Sequence, residues 1–220
     1  DELESWGMQN VHLHQWGPFG RGWELTHFEM HAEGSNYWPI IAYPKAWSSS
    51  ITGTGKAIYL NIENDSDIEK YKGQLAGKFV LIDTIREIEE AFKPSAIRHD
   101  DESLLKLANA TAPKPRTRRN RNNSAASLRL AIWNLLESEK PIAVLDRSYR
   151  GELGTVFVSG ARTAEGSARD NNKYVVPQVT LAMEHYNRIF RVISKGIPVT
   201  LSLDLKTNYT NPDEMEHNII

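Results

Sequence analysis

Four of the seven histidines fall within the first 31 residues, and histidine is a common ligand of metal ions. We predict a β-strand over 11–16, where residues two apart share a face, so His12 and His14 could ligate one ion. His27 and His31 would also share a face, on a strand or on a helix. No carboxylate cluster matches these histidines, so polar side chains on an exposed arm are the competing interpretation.

Other catalytic chemistry finds less support. The chain contains no cysteine, which excludes a disulfide framework, a thiolate zinc site and a cysteine nucleophile. It lacks the Gly-x-Ser-x-Gly sequence of a serine nucleophile elbow and the Walker-type phosphate-binding loop of nucleoside triphosphatases. Gly17, Gly20 and Gly22 superficially resemble a phosphate-binding loop, but the strand–loop–helix context of such a loop is missing after Trp23. We therefore expect no nucleotide site there.

Two acidic pairs and one basic run have the composition of solvated surface. Glu89-Glu90 and Asp100-Asp101 lie in or beside a hydrophilic segment, where carboxylates keep their solvation and are poor acid–base catalysts. The basic run follows with five cations: Lys114, Arg116, Arg118, Arg119 and Arg121. It could bind phosphates, but no interleaved aromatic residues are present to stack on bases. We expect a solvated loop and no nucleic-acid partner.

The composition is that of an ordinary globular protein. The chain has 220 residues, of which 40% are hydrophobic, and its 26 basic and 28 acidic side chains give a net charge of −2. This length allows one large domain or two small ones. No apolar run approaches the roughly 18 residues needed to span a bilayer, so we expect no membrane span.

Hydrophobic periodicity divides the chain into short strands and a few helices. We predict strands over 11–16, 23–32, 56–62, 78–83, 141–146, 154–160, 175–181 and 197–205. We predict helices over 67–71, 103–110, 124–137 and 182–194. Pro39 and Pro44 indicate an edge or bent strand over 37–46, and Gly53 to Gly55 indicate a turn. The apolar run over 78–83 belongs at the centre of the sheet. The pattern predicts a mixed α/β fold with a closed or sandwiched sheet.

Several longer sequences carry a resemblance to a known family. They are Tyr-Pro-Lys-Ala-Trp-Ser (43–48), Gly-Lys-Ala-Ile-Tyr-Leu (55–60), Gly-Lys-Phe-Val-Leu-Ile (77–82), Ala-Val-Leu-Asp (143–146), Val-Pro-Gln-Val-Thr-Leu (176–181) and Gly-Ile-Pro-Val-Thr-Leu-Ser-Leu (196–203). Their order, with helices after the third and fifth, resembles a protease-associated (PA) domain. The flanks, Trp-Gly-Pro-Phe-Gly-Arg-Gly-Trp (16–23) and His-Asn-Ile-Ile (217–220), resemble the segments that bracket a PA domain in exported di-zinc exopeptidases. That group includes carboxypeptidase Q and glutamate carboxypeptidase.

The resemblance covers about residues 5–220 and implies an architecture. The fold would be α/β, with PA-like mixed β-sheets forming a sandwich or open barrel flanked by two or three helices. Residues 1–34 would be an N-terminal arm leading in from the peptidase domain, and 35–206 the PA domain, with a long insertion at about 84–124. Residues 207–220 would be an exit linker towards the peptidase domain. We expect the chain to be a piece of a longer protein.

The resemblance also implies a function. In that family the zinc ligands follow the PA domain in sequence, so this chain would have no catalytic residues and no cofactor of its own. Zinc would be held in the peptidase domain of the same polypeptide, in a secreted or periplasmic protein that acts on peptides. The PA domain would act as a lid that shapes substrate access or would mediate protein interaction.

Arg150 is the one residue for which the resemblance implies a contact with substrate. The loop Arg147-Ser-Tyr-Arg-Gly-Glu-Leu-Gly154 matches a place where the family has a similar Arg-Gly loop, with Tyr149 and Leu153 as departures. A guanidinium group suits a peptide carboxylate, although a surface arginine would have the same sequence signal. Two alternatives remain: a free-standing peptide- or protein-binding module, and a metal-binding arm formed by His12 and His14.

Overall fold

The computed structural model describes residues 2–33, 37–88, 92, 94, 96–112, 123–210 and 215–220. The strands are β1 Leu13–Trp16, β2 Gly22–Ala32, β3 Trp38–Pro39, β4 Ala42–Pro44, β5 Ile51–Tyr59, β6 Phe79–Leu81, β7 Ala143–Arg147, β8 Gln178–Leu181, β9 Thr200–Thr210 and β10 Glu216–Ile219. The helices are α1 Glu2–Ser5, α2 Asp65–Ile68, α3 Asp101–Ala108, α4 Asn123–Glu139 and α5 Met183–Ser194, with a 3-10 turn over Glu69–Tyr71.

Eight of these strands form one curled sheet, in the order β3-β2-β9-β5-β6-β7-β8-β4. β5 joins its two halves: residues 51–56 pair antiparallel with β9, and residues 57–59 pair parallel with β6. The run β5-β6-β7-β8 is parallel, and the other pairs are antiparallel. The curled mixed sheet with its helices confirms the predicted α/β fold class. The prolines of 37–46 lie, as predicted, on the two edge strands β3 and β4.

The parallel half of the sheet is buried on both faces, which explains the near-continuous apolar sequence of its central strand. Phe79 and Leu81 of β6 pack into a core with α5, whereas Val80 packs into a second core with α2 and α4. Helix α5 contributes Tyr186 and Ile189 to the first core. The strand expected at the sheet centre is therefore there, covered by helices on both sides.

The antiparallel half is buried on one face only. In β9, Leu201, Leu203 and Leu205 are fully buried and alternate with more exposed polar residues. β2 follows the same period, with Met30 and Ala32 buried. One apolar face and one solvated face are typical of antiparallel sheets, and the pattern of 197–205 predicted this arrangement.

The turn predicted at Gly53 to Gly55 is wrong, because both glycines lie inside β5. A Cβ on Gly55 would come within 2.3 Å of the Gly77 carbonyl oxygen, and one on Gly53 within 3.3 Å of the Ile142 side chain. The glycines are needed for the close approach of another backbone and a bulky side chain, which is the other common reason for glycine in a strand.

The strand predicted over 154–160 is also wrong. The chain enters this stretch through Leu153 and Gly154, which have φ values of 54° and 82° and turn the backbone out of an extended course. The Phe157 N–H then donates to the Ser148 hydroxyl and not to a neighbouring strand. The place beside β8 is taken by β4.

The first two predicted strands do not pair with each other. β1 pairs antiparallel with β10, with Leu13 opposite Ile219 and Trp16 opposite Glu216, and we call this pair the terminal ribbon. β2 joins the main sheet, where it pairs with β9 along its length. β9 itself continues to Thr210, into the segment predicted as an exit linker. The domain boundaries stay predictions, but residues 22–32 are part of the sheet.

Candidate functional site

The loops that leave the parallel half of the sheet gather at the carboxyl ends of its strands. β6 is followed by Asp83, β7 continues into residues 148–158, and β8 leads directly into α5. In open α/β sheets, ligands bind outside the carboxyl ends of the parallel strands. Residues 148–158, here called the rim loop, and the polar residues beneath them form the candidate site.

A buried ion pair lies below the rim loop. The ammonium group of Lys45, which is only 4% exposed, donates to one carboxylate oxygen of Asp146. The other oxygen accepts a hydrogen bond of 2.7 Å from the Thr180 hydroxyl. A buried charge that loses its partner is costly, so the ion pair fixes the end of β4 to β7 across β8.

Asp83 occupies the corresponding position after β6. Its carboxylate accepts a hydrogen bond of 3.2 Å from the Arg147 N–H, and its backbone carbonyl accepts one of 2.6 Å from the Tyr186 hydroxyl. Burial raises the pKa of the Asp83 carboxyl above its ordinary value, and the hydrogen bond from Arg147 opposes that shift. Burial also raises the pKa of Tyr186, whose side chain is fully buried. These contacts connect the ends of two parallel strands to α5.

The rim loop is closed from the inside by one buried hydroxyl. Ser148 is fully buried, and its hydroxyl donates to the Arg150 carbonyl and accepts a hydrogen bond of 2.8 Å from the Phe157 N–H. Both ends of the loop are therefore attached to the same side chain. Backbone groups within the loop obtain partners without forming a strand or helix.

A single arginine outside the loop supports its middle. The Arg86 guanidinium donates to the carbonyls of Tyr149 and Gly151 at 2.7 and 3.1 Å, and it pairs with the Glu152 carboxylate at 3.1 Å. The backbone of Arg86 is itself held by Asn187 of α5, through hydrogen bonds of 3.2 and 2.6 Å. The conformation of the rim loop is thus set by the sheet and by α5.

The outer side of the rim loop is apolar. Leu153 is 89% exposed with a left-handed φ of 54°, and its N–H donates to Glu184 at 2.6 Å. Tyr149 and Phe157 are also exposed, with ring centroids 6.0 Å apart. The guanidinium of Arg150 lies 5.5 Å from the centre of the Tyr149 ring. A non-glycine residue in this strained region is typical of functional loops.

The rim loop can bind and orient a ligand, because it offers apolar surface and a cation in fixed positions. Arg150 lies in it as the sequence placed it, and its contact with a substrate carboxylate stays a prediction. No group of three or more histidine, aspartate or glutamate side chains suited to a metal ion occurs in the part of the chain that the structure describes.

The four N-terminal histidines lie in or next to two separate strands of the structure. His14 is in β1 and His12 directly precedes it, and both are exposed. The Nδ1 atom of His12 lies 2.8 Å from the Asn10 carbonyl oxygen. His27 and His31 lie on the solvated face of β2, where each has an acidic neighbour within 3.5 Å. The metal-binding alternative stays a prediction.

The charged pairs and runs divide into two groups. Glu89-Glu90 and the basic run with Lys114, Arg116, Arg118, Arg119 and Arg121 lie outside the described residues. Asp100 caps α3, because its carboxylate accepts a hydrogen bond of 2.9 Å from the Ser103 N–H, and the next residue begins the helix. That hydrogen bond lowers the pKa of Asp100. The acidic pair at 100–101 is thus part of a helix start.

Sequence reasoning missed the residues beneath the rim loop, although a signal was present. Lys45, Asp146 and Thr180 come from three of the sequences that carry the family resemblance, and each is a polar residue next to apolar strand residues. Polar residues in such positions require partners when the strand is buried. These three residues come together only because their strands are neighbours in the sheet. The order of the strands cannot be predicted from any one of the three segments.

Comparisons with known proteins give matches in structure alone. No family model matches the chain, and no curated protein matches it in sequence. The fold is similar to part of a peptidase M28 precursor from Shewanella amazonensis, with 12% identity, a TM-score of 0.54, and coverage of 99% of this chain and 41% of that one. An aminopeptidase from Aneurinibacillus sp. strain AM-1 matches with 13% identity, a TM-score of 0.46, and coverage of 99% and 39%. The zinc aminopeptidase BSAP from Bacillus subtilis matches with 11% identity, a TM-score of 0.46, and coverage of 96% and 36%.

The chain therefore spans less than half the length of these three structures. At 12% identity the first of them establishes a shared fold. None of the described helices combines the length and apolar character required to cross a bilayer.

Proposed function

We propose that the chain is a non-catalytic PA domain of a secreted or periplasmic zinc-dependent metallopeptidase of the aminopeptidase or carboxypeptidase type. It acts as a lid that shapes the access of peptide substrates to the peptidase domain of the same polypeptide, which holds the zinc. The similarity in fold to the peptidase M28 precursor, over 99% of this chain, supports the proposal.

The observation that carries the lid role is the construction of the rim loop. Its backbone is held from inside by Ser148, Arg86 and Glu184, while Tyr149 and Leu153 point their apolar surface to solvent. Apolar side chains on a fixed loop at the carboxyl edge of a sheet fit a role in contacting a ligand. In the full-length protein, that ligand is a peptide at the entrance to the cleft.

The terminal ribbon supports a connection to a second domain. β1 and β10 lie side by side, so the two ends of the chain leave the fold at one place. Leu13 and Ile219 of the ribbon are 67% and 61% exposed. A two-stranded pair of this length has marginal stability alone, and packing on the peptidase domain would cover its apolar residues.

Arg150 contributes a charge to this entrance. The structure gives its guanidinium a ring contact with Tyr149, and no carboxylate of the described residues pairs with it. We assign to it the contact with a peptide carboxylate, for which its planar pair of donors is suited.

The lid role is tested on the full-length peptidase with a Tyr149→Ser/Leu153→Ser double variant. We expect kcat/KM for an oligopeptide to fall about three- to tenfold, because contacts beyond the scissile residue are lost. An aminoacyl p-nitroanilide, too short to reach the rim loop, should be cleaved at the wild-type rate. Leu107→Ser, which removes a leucine of α3 that is 57% exposed and lies outside the rim loop, is the control.

An unchanged ratio of the two kcat/KM values in the double variant would contradict the lid role. The non-catalytic assignment has its own test: residues 1–220 alone, with zinc added, should release no p-nitroaniline. Zinc-dependent cleavage by this chain would show that it holds a hydrolytic centre.

A further inference from the structure

A second candidate site lies apart from the rim loop. An open cavity of 760 Å³ lies between α4 and residues 161–168. Its helical wall consists of Ala126, Arg129, Leu130 and Trp133, whose spacing places them on one face of α4. The volume falls within the range of about 300–1,000 Å³ that is typical of small-molecule sites.

The opposite wall of the cavity is fixed from the protein core. The amide of Gln178, which is 1% exposed, accepts a hydrogen bond of 2.9 Å from the Arg162 N–H and donates one of 2.7 Å to the Arg162 carbonyl. Two residues further on, the Ala164 N–H donates to the Glu137 carboxylate of α4 at 2.7 Å. A buried amide used in this way holds the backbone of Arg162 in one place.

Two guanidinium groups line this cavity without an anionic partner. Arg129 comes from the helix and Arg162 from the fixed loop. Within the described part of the chain, neither guanidinium forms an ion pair or a hydrogen bond. The Glu137 carboxylate accepts the hydrogen bond from Ala164 and forms no ion pair with Arg129 or Arg162.

Trp133 forms the apolar floor and is only 5% exposed. Its indole ring gives the cavity an apolar surface beside the two guanidinium groups. The cavity thus combines two unpaired cations with an apolar floor.

We propose that this cavity binds a small organic anion, with a carboxylate or phosphate group on an apolar body. Arg129 and Arg162 bind the anionic group, since a guanidinium presents paired donors that match either kind. The body of the ligand packs on Trp133 and Leu130. This site is separate from the proposed lid role and does not depend on it.

The test is calorimetric titration of residues 1–220 with three probes: N-acetylphenylalanine, phenyl phosphate and the neutral N-acetylphenylalaninamide. At least one anionic probe should bind, and the amide should bind about tenfold more weakly or not at all. Added salt should weaken the binding of the anionic probes but not any binding of the amide. The anion with the lower Kd identifies the carboxylate or the phosphate as the preferred group.

Two charge variants and one steric variant locate the binding. Arg129→Gln and Arg162→Gln should each weaken the anion about tenfold, because each removes a charged donor. Ala126→Phe keeps both charges but fills the cavity and should abolish binding. Arg98→Gln removes an exposed arginine that does not line the cavity and should bind as the wild type does.

Binding of neither anion at roughly 10 mM, where a useful site would be saturated, would overturn the proposal. Equal affinity for the acid and the amide would also overturn it. So would an Ala126→Phe variant that retains its native circular dichroism and still binds, because binding would then occur elsewhere.

Discussion

The rim loop and the terminal ribbon are both exposed and apolar on the outside, but they are held in different ways. The rim loop has no regular structure, and buried or half-buried side chains of Ser148 and Arg86 bind its backbone. The ribbon has regular strand pairing between β1 and β10, and all eight of its residues are exposed. Regular backbone pairing and support from buried side chains therefore occur in different regions of this protein.

The difference shows where the stability of each region comes from. A strand pair without a covered face depends on its backbone ladder and on its neighbours. An irregular loop is stabilised when buried side chains satisfy its polar backbone groups. We therefore expect substitutions beneath the rim loop to destabilise the whole fold, and substitutions in the ribbon to act locally.

The largest effect is expected from Lys45→Met. It leaves the Asp146 carboxylate without its ammonium partner below the rim loop, and removal of one member of a buried ion pair costs about 3–5 kcal/mol. Urea unfolding monitored by circular dichroism would measure the loss. Lys206→Met, which removes an exposed ammonium 3.5 Å from Asp204, should change little and is the control. Equal midpoints for the two variants would mean that the ion pair adds no stability.

Ser148→Ala should have a smaller effect. The Phe157 N–H loses its acceptor and the Arg150 carbonyl its donor, at a cost of about 1–3 kcal/mol. Amide hydrogen exchange should increase first in the rim loop, before the strands open. Ser138→Ala removes an exposed hydroxyl that donates to the Leu135 carbonyl and is the matched control. Unchanged exchange at Phe157 in Ser148→Ala would contradict this account of loop closure.

The buried carboxyl group of Asp83 makes the stability of the region beneath the rim loop depend on pH. Burial raises its folded-state pKa above the unfolded value, so folding takes up a proton between the two values. Its contribution to stability is greatest below the unfolded pKa and is lost as the pH rises through the folded one. Asp83→Asn should therefore gain stability relative to wild type from acid to neutral pH.

Urea unfolding at a series of pH values measures this difference, and Glu24→Gln, on the exposed face of β2, controls for the loss of one carboxylate. A difference that shrinks from acid to neutral pH would reverse the sign and refute the burial of an ionised Asp83.

The sequence predicted the sheet better than the site. Hydrophobic periodicity located β9 and α5, because each element has one apolar face that is buried in the core. It failed at 154–160, where valine and phenylalanine favour a strand but the neighbouring position at β8 is already occupied. It also failed at Gly53 and Gly55, because a glycine required for close approach looks the same in sequence as a glycine in a turn.

The site itself required the order of the strands. Arg150 could be singled out because its loop is a continuous sequence, but the Lys45 to Asp146 ion pair joins residues 101 positions apart. Likewise Arg86 contacts a loop 63 residues away, and nothing in the composition of 84–88 indicates that role. Which residues meet in such pairs is decided by the order of the strands in the sheet, and the sequence pattern of a single segment does not contain that order.

The smallest effect is expected from Trp16→Ser in the ribbon. The rings of Trp16 and Phe19 are nearly perpendicular with centroids 4.2 Å apart, but Trp16 is exposed, so the free energy of unfolding should change by about 0.5 kcal/mol or less. Hydrogen exchange should nevertheless increase at the amides that pair β1 with β10, because all eight residues of the ribbon are exposed and none is anchored in the core. Global destabilisation like that of Lys45→Met would show that the ribbon is integrated into the core, and would remove the contrast between the two regions. If the ribbon packs on a second domain, as we propose, the same substitution should cost more stability in the longer protein than in residues 1–220.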